Sequence, residues 1–151
     1  MTSAILIPLI PLLGFLINGL IGHRLSRGLS HVIACSSVAS SFGLSLIWFS
    51  RVLASPEHRI DLVVGQWMAV GNLQIPFGFV IDALSSVMLL VITGIGLLIH
   101  IYSVGYMHHE KGTARYFAYL NLFVFFMTLL VMSSSLPLLF VGWEGVGLCS
   151  Y

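Results

Sequence analysis

One carboxylate, Glu144, stands in the middle of an otherwise apolar run near the end of this 151-residue sequence. The run follows a serine-rich break and Pro137, and it contains Gly142, Gly145 and Gly147. A helix that starts near Pro137 places Glu144 about seven residues in, which is roughly 10 Å below the membrane surface. A charged group at that depth costs about 2.5 kcal/mol or more, and such residues usually belong to ion or proton paths.

The chemistry that Glu144 offers is proton transfer. The low dielectric of a bilayer favours the neutral carboxylic acid, whereas a nearby cation favours the carboxylate. A group that exists in both forms near neutral pH can relay protons, and the glycines leave room for a helix or a file of water. The alternative is a carboxyl group that only hydrogen-bonds a neighbouring helix for packing. The predicted membrane helices contain no lysine or arginine, so a cationic partner has to come from outside this sequence. Trp143 is expected to pack beside the carboxylate.

Asp82 and His100 are two further candidates for a proton path. Asp82 is predicted to lie four or five residues into the third helix, where the alternative role is an interfacial carboxylate stabilised by the helix dipole. His100 precedes Tyr102 and Tyr106 near the other end of that helix. It is either a neutral histidine in an interfacial aromatic belt or a member of a proton path.

Metal, nucleotide and nucleic-acid sites are not predicted. Cys35 and Cys149 lie far apart in apolar segments and form no C-x-x-C motif, so neither a disulfide nor a metal site is expected. His108, His109 and Glu110 are adjacent in a loop and are interpreted as a solvated surface. The sequence has no P-loop, no dinucleotide fingerprint and no basic run that would favour nucleic acid.

The composition places the chain in a bilayer, because 58% of its residues are hydrophobic and 7% are charged, against about 25% charged in soluble domains. The fifth apolar run has 15 residues, fewer than the roughly 20 that span a membrane, so the chain is expected to be a fragment of a longer protein. Membrane helices are predicted at residues 2–22, 29–50, 79–106, 116–132 and 137–151.

The stretch 51–77 has mixed polarity and predicts a β-hairpin outside the membrane. Its turn is Gly71-Asn72, between strand-like runs at 62–70 and 73–77. The predicted fold is therefore an all-α polytopic membrane protein with about five transmembrane helices and a small extramembrane β-hairpin between helices 2 and 3. Within the helices, Asn18 requires an internal partner, and the serines of the second helix suit close helix packing.

The positive-inside rule gives the orientation. The loops at 23–28 and 107–115 are predicted to lie on one side of the membrane and the N-terminus and hairpin on the other, so the first two face the cytoplasm. No transit-like presequence is visible, which favours a multi-pass protein of the bacterial plasma membrane over one of an organellar inner membrane. The first side carries Arg24, Arg27, Lys111 and Arg115, and the second carries Arg51 and Arg59.

Four motifs resemble the antiporter-like subunits of respiratory complex I, the proton-pumping NADH:quinone oxidoreductase, and within them the chain 5 (bacterial subunit L) group. The motifs are F-x-x-D-A-L-S-S at 79–86, I-H-I-Y-S-V-G-Y-M-H-H-E at 99–110, R-Y-F-A-Y-L-N-L-F at 115–123 and L-F-V-G-W-E-G-V-G-L-C-S-Y at 139–151. The resemblance implies amino-terminal helices at 1–59, a chain 5 amino-terminal domain at 60–115, and the start of the antiporter-like translocating domain at 116–151.

The resemblance also implies a mechanism and a set of partners. Proton translocation would be coupled to NADH oxidation and quinone reduction, with Glu144 paired to a lysine on a later, broken helix. NADH, FMN, the iron–sulfur clusters and quinone would belong to partner subunits, so this chain would hold no redox centre. Its own partners would be other membrane-arm subunits, the lipid bilayer and protons. The alternatives are a subunit of a multisubunit sodium/proton antiporter without redox coupling, and a non-transporting scaffold in which Glu144 is structural.

Overall fold

The computed structural model describes residues 2–70, 73–107, 110 and 112–151. This part of the chain is mostly helical, with a small two-stranded sheet between the second and third α-helices, as predicted. Three helices, α2, α3 and α4, are long and apolar enough to cross a membrane, and α1 and α5 are shorter apolar helices of 15 residues each. After a 3₁₀ turn at Thr2–Ala4, the elements are α1 (Leu6–Leu20), α2 (Arg27–Ala54), β1 (Arg59–Val70), β2 (Leu73–Asp82), α3 (Ala83–Tyr106), α4 (Thr113–Met132) and α5 (Leu136–Ser150).

The helices pack as a bundle in which α1 contacts α2 and α4, α3 contacts α2 and α4, and α5 packs on α4. The segment 21–26 lies at one end together with Met107 and Gly112, and we call this the loop end. The sheet and the α4–α5 turn lie at the other, which we call the sheet end. There the backbone N–H of Ser134 donates to the carbonyl of Gly78 at 3.2 Å, and Phe79 forms a β-bridge with Ser133. The turn before α5 is therefore fixed to the sheet.

The first helix is shorter than the predicted 2–22, since α1 begins at Leu6 and ends at Leu20. Pro11 lies inside it and has no N–H to donate to the carbonyl of Ile7. The hydroxyl of Ser41, on α2, donates to that carbonyl at 2.7 Å. A side chain of the neighbouring helix thus replaces the missing backbone hydrogen bond, and the proline is accommodated without an unpaired carbonyl.

The boundary between the hairpin and α3 was predicted wrongly. Residues 79–82, expected to open the third helix, instead complete β2, where Phe79 pairs with Leu62 and Asp82 with Arg59. The strands are longer than the predicted 62–70 and 73–77, and the predicted Gly71-Asn72 turn lies outside the described residues. Asp82 ends the strand because its side chain caps the first turn of α3, as described below.

The hydrophobic core lies at the sheet end. The base of the sheet covers the ends of α2 and α4 there, so buried strand residues contact buried helix residues. Away from this core, large apolar side chains point outward along the helices, as a lipid-facing surface requires; Leu84, for example, is 74% exposed. The largest members of the core are Ile7, Trp48, Val52, Leu62, Phe79, Ile81, Leu89, Leu129, Met132 and Leu138.

The serines of α2 divide between two faces of that helix. Ser37, Ser41 and Ser45 are buried against neighbouring helices, which confirms the prediction that small hydroxyl residues allow close packing. Ser36 and Ser40 are exposed, and each donates to a backbone carbonyl of its own helix. One face of α2 therefore supplies the close contacts.

Candidate functional site

The position of Glu144 is set by two glycines that press α5 against α4. A Cβ atom on Gly142 would lie 2.7 Å from the Cβ of Leu130, and one on Gly145 would overlap the ring of Phe126. Any larger residue would push the helices apart, since both contacts are closer than carbon atoms tolerate. The room that these glycines create is thus filled by α4. Gly147, by contrast, has nothing near its Cβ position.

Glu144 itself lies on the face of α5 that points away from the bundle. Its side chain is exposed, and it has no hydrogen-bond or ion-pair partner among the described residues. Its surroundings on this face are apolar, with Phe140 60%, Trp143 67% and Leu148 72% exposed. Trp143, expected to pack beside the carboxylate, has no cover from the described part of the chain. A lone carboxyl group thus stands on an apolar, unpacked helix face.

His100 has a different environment from the one that an aromatic belt would give. Its side chain is completely buried between helices, so the interfacial-belt interpretation is wrong for this residue. Its Nδ1 donates to the carbonyl of Gly96 at 2.8 Å, and the ring lies 6.1 Å from that of Phe117. Tyr102 and Tyr106 do form an exposed, stacked pair on the surface of α3. The proton-path role of His100 stays a prediction.

Asn121 lies between His100 and the Ser37 hydroxyl of α2. Because Nδ1 of His100 carries the proton that it donates, Nε2 is an acceptor in the neutral ring. The side chain of Asn121 lies beside the ring, but Nε2 of His100 and Nδ2 of Asn121 each lack a hydrogen-bond partner among the described residues. The Oδ1 of Asn121 accepts from the hydroxyl of Ser37 at 3.0 Å. The buried side chain of Asn121 therefore links α4 to α2 by a hydrogen bond and lies beside the ring of His100 on α3.

A second polar pair, Asn18 and Ser30, confirms that Asn18 needs an internal partner. The Ser30 hydroxyl donates to the Oδ1 of Asn18 at 2.9 Å, and the Asn18 amide donates to the Ser30 carbonyl at 3.3 Å. Both residues are at most 2% exposed. The same reasoning applied to Asn121, another amide in an apolar helix, would have predicted its partners too, but the residue was overlooked.

Asp82 is the N-cap of α3. Its Oδ1 accepts from the backbone N–H of Ser85 at 2.7 Å, and the Ser85 hydroxyl accepts from the backbone N–H of Asp82 at 2.7 Å, which completes a capping box. The hydrogen bond from the Ser85 N–H, followed by that from the Ser85 hydroxyl, lowers the pKa of the Asp82 carboxyl. The expected place of Asp82 inside a helix is wrong, while its location at a helix N-terminus agrees with the alternative role. Its part in a proton path stays untested.

The three predicted site residues are not brought together. Asp82 lies at the sheet end, and His100 is 18 residues further along the same helix, roughly 27 Å at 1.5 Å per residue. Glu144 lies on the outer face of α5. Among the described residues, no three histidine, cysteine, aspartate or glutamate side chains could hold a metal ion together; His108 and His109 lie outside them. Glu144 is therefore the candidate site on its own.

Comparison with known proteins shows which proteins the chain resembles. Residues 67–117 match the family model described as NADH-ubiquinone oxidoreductase (complex I), chain 5 N-terminus. Over its whole length the chain is 41% identical to NADH-quinone oxidoreductase subunit L of Neisseria meningitidis. The chain is similar to complex I chain 5 proteins along its whole length. It is also 45% identical over 146 residues to subunit L of Pseudomonas aeruginosa and 38% identical over 143 residues to NADH-ubiquinone oxidoreductase chain 5 of Dictyostelium discoideum.

The chain spans about a quarter of the length of these chain 5 relatives: 23% for Neisseria meningitidis, 24% for Pseudomonas aeruginosa and 21% for Dictyostelium discoideum. The alignment with the Neisseria meningitidis relative covers the whole chain, so it includes α5 and its glycines. Together with the three helices of membrane-spanning length, these similarities support a multi-pass membrane protein.

Proposed function

We propose that this chain is part of a membrane subunit of NADH:quinone oxidoreductase that translocates protons, and that Glu144 takes up and releases a proton in each cycle. The observation that carries the proposal is the exposure of Glu144 on the apolar outer face of α5, without a partner among the described residues. The redox coupling is supported by the names of the chain 5 relatives.

The energetic argument starts from the apolar face around Glu144. A carboxylate that met only acyl chains there would cost several kcal/mol, so membrane carboxyl groups usually face a protein interior or a water-filled cavity. We propose that the outer face of α5 is covered by protein that brings water and a cationic partner to Glu144. When that cation approaches, it favours the carboxylate, and when it withdraws, the low dielectric favours the neutral acid. Alternation between the two states moves a proton.

The glycine contacts give the carboxyl group a fixed position. Since Gly142 and Gly145 hold α5 directly against α4, the outer face of α5 cannot rotate inward without separating the two helices. A relay group needs such a fixed support, because proton transfer requires hydrogen-bond distances of about 2.6–3.2 Å to the next carrier.

The partners follow from the same proposal. NADH, FMN, the iron–sulfur clusters and quinone would be held by other subunits, and this chain would contact membrane-arm subunits and lipid. The loop end, which carries Arg24, Arg27 and Arg115, would face the cytoplasm by the positive-inside rule. Bacterial sequences among the relatives support a location in the bacterial plasma membrane.

The test is Glu144→Gln in the full-length protein within its assembled complex. The amide keeps the shape of the side chain and its hydrogen-bonding capacity but cannot release a proton, so NADH-driven proton uptake into sealed vesicles is expected to be lost or strongly reduced. The matched control is Glu57→Gln, which makes the same chemical change at an exposed glutamate in the loop before β1 and is expected to leave pumping unchanged. Complex assembly on native gels should be normal in both.

Each alternative gives its own result. An unchanged ratio of protons to electrons in Glu144→Gln would refute the relay. Failure of the complex to assemble would instead support a structural role for Glu144. Sodium-dependent proton transport that proceeds without NADH would favour a sodium/proton antiporter subunit over the redox-coupled enzyme.

A further inference from the structure

The connection between α4 and α5 is short and is bonded to the sheet. Only residues 133–135 lie between the two helices. The backbone N–H of Ser134 donates to the carbonyl of Gly78 at 3.2 Å, and Ser133 forms a β-bridge with Phe79. Both contacts are made to β2, so the start of α5 follows the position of that strand.

Gly78 is the point at which both strands and this connection meet. It pairs with Val63 in the sheet. A Cβ atom on Gly78 would lie 2.9 Å from the carbonyl oxygen of Leu62, which is main chain, and 3.0 Å from the Oγ of Ser134. Both distances are shorter than the optimum of about 3.5 Å for nonbonded heavy atoms. A side chain at this position would therefore force the strands or the connection apart, and the glycine permits their close approach.

The first turn of α5 has no cap of its own. Its N-cap, Ser135, makes no side-chain capping hydrogen bond, whereas α3 begins with the complete capping box of Asp82 and Ser85. Leu138 of α5 is 2% exposed and belongs to the same buried cluster as Phe79 of β2. Contacts at the sheet end, rather than a local cap, therefore hold the start of α5.

Two sets of contacts fix α5 in different directions. Gly142 and Gly145 fix its distance from α4, whereas the bond to the sheet fixes its position along its own axis. Glu144 lies about 12 Å along the helix from Leu136, at 1.5 Å per residue. A proton carrier must come within about 2.6–3.2 Å of the next group, so a displacement of the helix by about 1 Å would interrupt transfer.

We propose that the two-stranded sheet sets the depth of Glu144 along α5, and that Gly78 and Ser134 are the positioning residues through which it does so. Neither residue contacts Glu144; each acts through the start of the helix that carries it. The consequence for proton transfer rests on the proposed relay role of Glu144, whereas the anchoring of α5 can be measured without it.

The test uses the full-length protein in its assembled complex and begins with Ser134→Pro, which removes the N–H that donates to Gly78. The ring is accommodated because Ser134 is exposed and because Ser133 has φ −63° and ψ 134°, the extended conformation that a residue before proline prefers. Hydrogen–deuterium exchange is measured at Leu139, whose N–H donates to the carbonyl of Ser135 in the first turn of α5. It should be about fivefold faster, the factor that corresponds to roughly 1 kcal/mol for one hydrogen bond. NADH-driven proton uptake into sealed vesicles should fall in the same variant.

Ser134→Ala is the matched control, because alanine keeps the N–H and removes only the hydroxyl group. It should leave both measurements unchanged. A second pair tests the contact from the sheet: Gly78→Ala should reproduce both changes, whereas Gly65→Ala, in the same sheet and with nothing within 4 Å of the added atom, should reproduce neither. Native gels show which variants assemble, and Gly78→Ala decides alone if Ser134→Pro does not.

Unchanged exchange at Leu139 in the assembled variants would overturn the proposal, because the sheet would not hold α5. Faster exchange with unchanged proton uptake, in a complex where Glu144→Gln abolishes uptake, would overturn it as well, because the anchor would not position the carboxyl group. Equal changes in Ser134→Ala or Gly65→Ala would show a general disturbance of the sheet end and would also contradict it. Normal pumping by Glu144→Gln would instead refute the relay, and the exchange rates would still decide whether the sheet fixes α5.

Discussion

Polar side chains in the interior between α1, α2, α3 and α4 differ in their hydrogen bonding from the one on the outer face of α5. In the interior, Asn18 pairs with Ser30, and Asn121 accepts a hydrogen bond from Ser37 beside the buried ring of His100. On α5, Glu144 has no partner among the described residues and is surrounded by exposed apolar side chains. Both regions belong to helices that are almost entirely apolar.

This difference separates polar residues that stabilise the bundle from one that is available for chemistry. Buried polar groups are nearly always hydrogen-bonded, because an unpaired one in an apolar medium is costly. Asn18, Ser30 and the Oδ1 of Asn121 meet that requirement within the described residues, although Nε2 of His100 and Nδ2 of Asn121 do not. The requirement of Glu144 is not met by the described part of the chain, which directs attention to α5 rather than to the more numerous polar residues of the interior.

The largest effect on stability is expected where α5 is held against α4. Gly142→Ala would place a methyl group 2.7 Å from the Cβ and 2.8 Å from the Cα of Leu130, and a Cα is main chain that cannot rotate away. The substitution should lower the free energy of unfolding by about 3 kcal/mol, the upper part of the range for overpacking. The measurement is an SDS unfolding titration of the full-length protein in micelles.

Gly147→Ala serves as the control for this substitution. It adds the same methyl group to the same helix, but nothing lies within 4 Å of the new atom, so stability should be unchanged or slightly increased by the better helix propensity of alanine. Proton pumping should fall with Gly142→Ala and persist with Gly147→Ala. Equal behaviour of the two variants would mean that the glycine contacts do not position the face of Glu144.

A smaller effect is expected from Asn121→Leu, which tests the interior directly. Leucine has a similar volume but removes the amide oxygen that accepts from the hydroxyl of Ser37 across the α2–α4 contact, which should cost about 2 kcal/mol of unfolding free energy. Glu144→Gln, measured in the same titration, should change stability by less than about 0.5 kcal/mol, as is usual for exposed positions. The reverse order of the two effects would contradict the division between a structural interior and a functional outer face.

The sequence alone was sufficient to predict that the apolar helices exist and that one carboxyl group is isolated among them, because both features depend on local composition. Long apolar runs and one acid among glycines can be recognised without knowing what packs against them. The hydrogen bond between Ser37 and Asn121 joins residues 84 positions apart, so it depends on how α2 meets α4, which no local pattern encodes. The donor to the Ile7 carbonyl likewise comes from the next helix, since the hydroxyl of Ser41 provides it.

The start of α3 was predicted wrongly for a different reason. The run 79–82 is apolar enough to continue either a strand or a helix. What decides between them is the capping box of Asp82 and Ser85, which lets the helix begin only after the aspartate. A cap of this kind can be read from sequence, since serine follows aspartate at the required spacing of three. The longer apolar pattern took precedence over that signal in the prediction.

Of the three expected losses of stability, the smallest is at this cap, and it depends on pH. Asp82→Ala should cost about 1 kcal/mol of unfolding free energy, whereas Asp82→Asn should retain most of the capping energy because asparagine also accepts the N–H of Ser85. The hydrogen bonds from Ser85 lower the pKa of Asp82 in the folded protein, so its contribution is complete above the unfolded value of about 3.9. The contribution is lost as the pH falls through the lower, folded value.

Unfolding titrations at neutral and acidic pH check the direction of this pH dependence of stability. The stability difference between the natural protein and Asp82→Asn should shrink as the pH is lowered, because the natural carboxyl group becomes neutral like the amide. Proton pumping at neutral pH should be the same in both, since a helix cap does not have to release a proton. A loss of pumping in Asp82→Asn with stability retained would instead make Asp82 a second proton carrier, and the interior and the outer face of α5 would then both belong to a proton path.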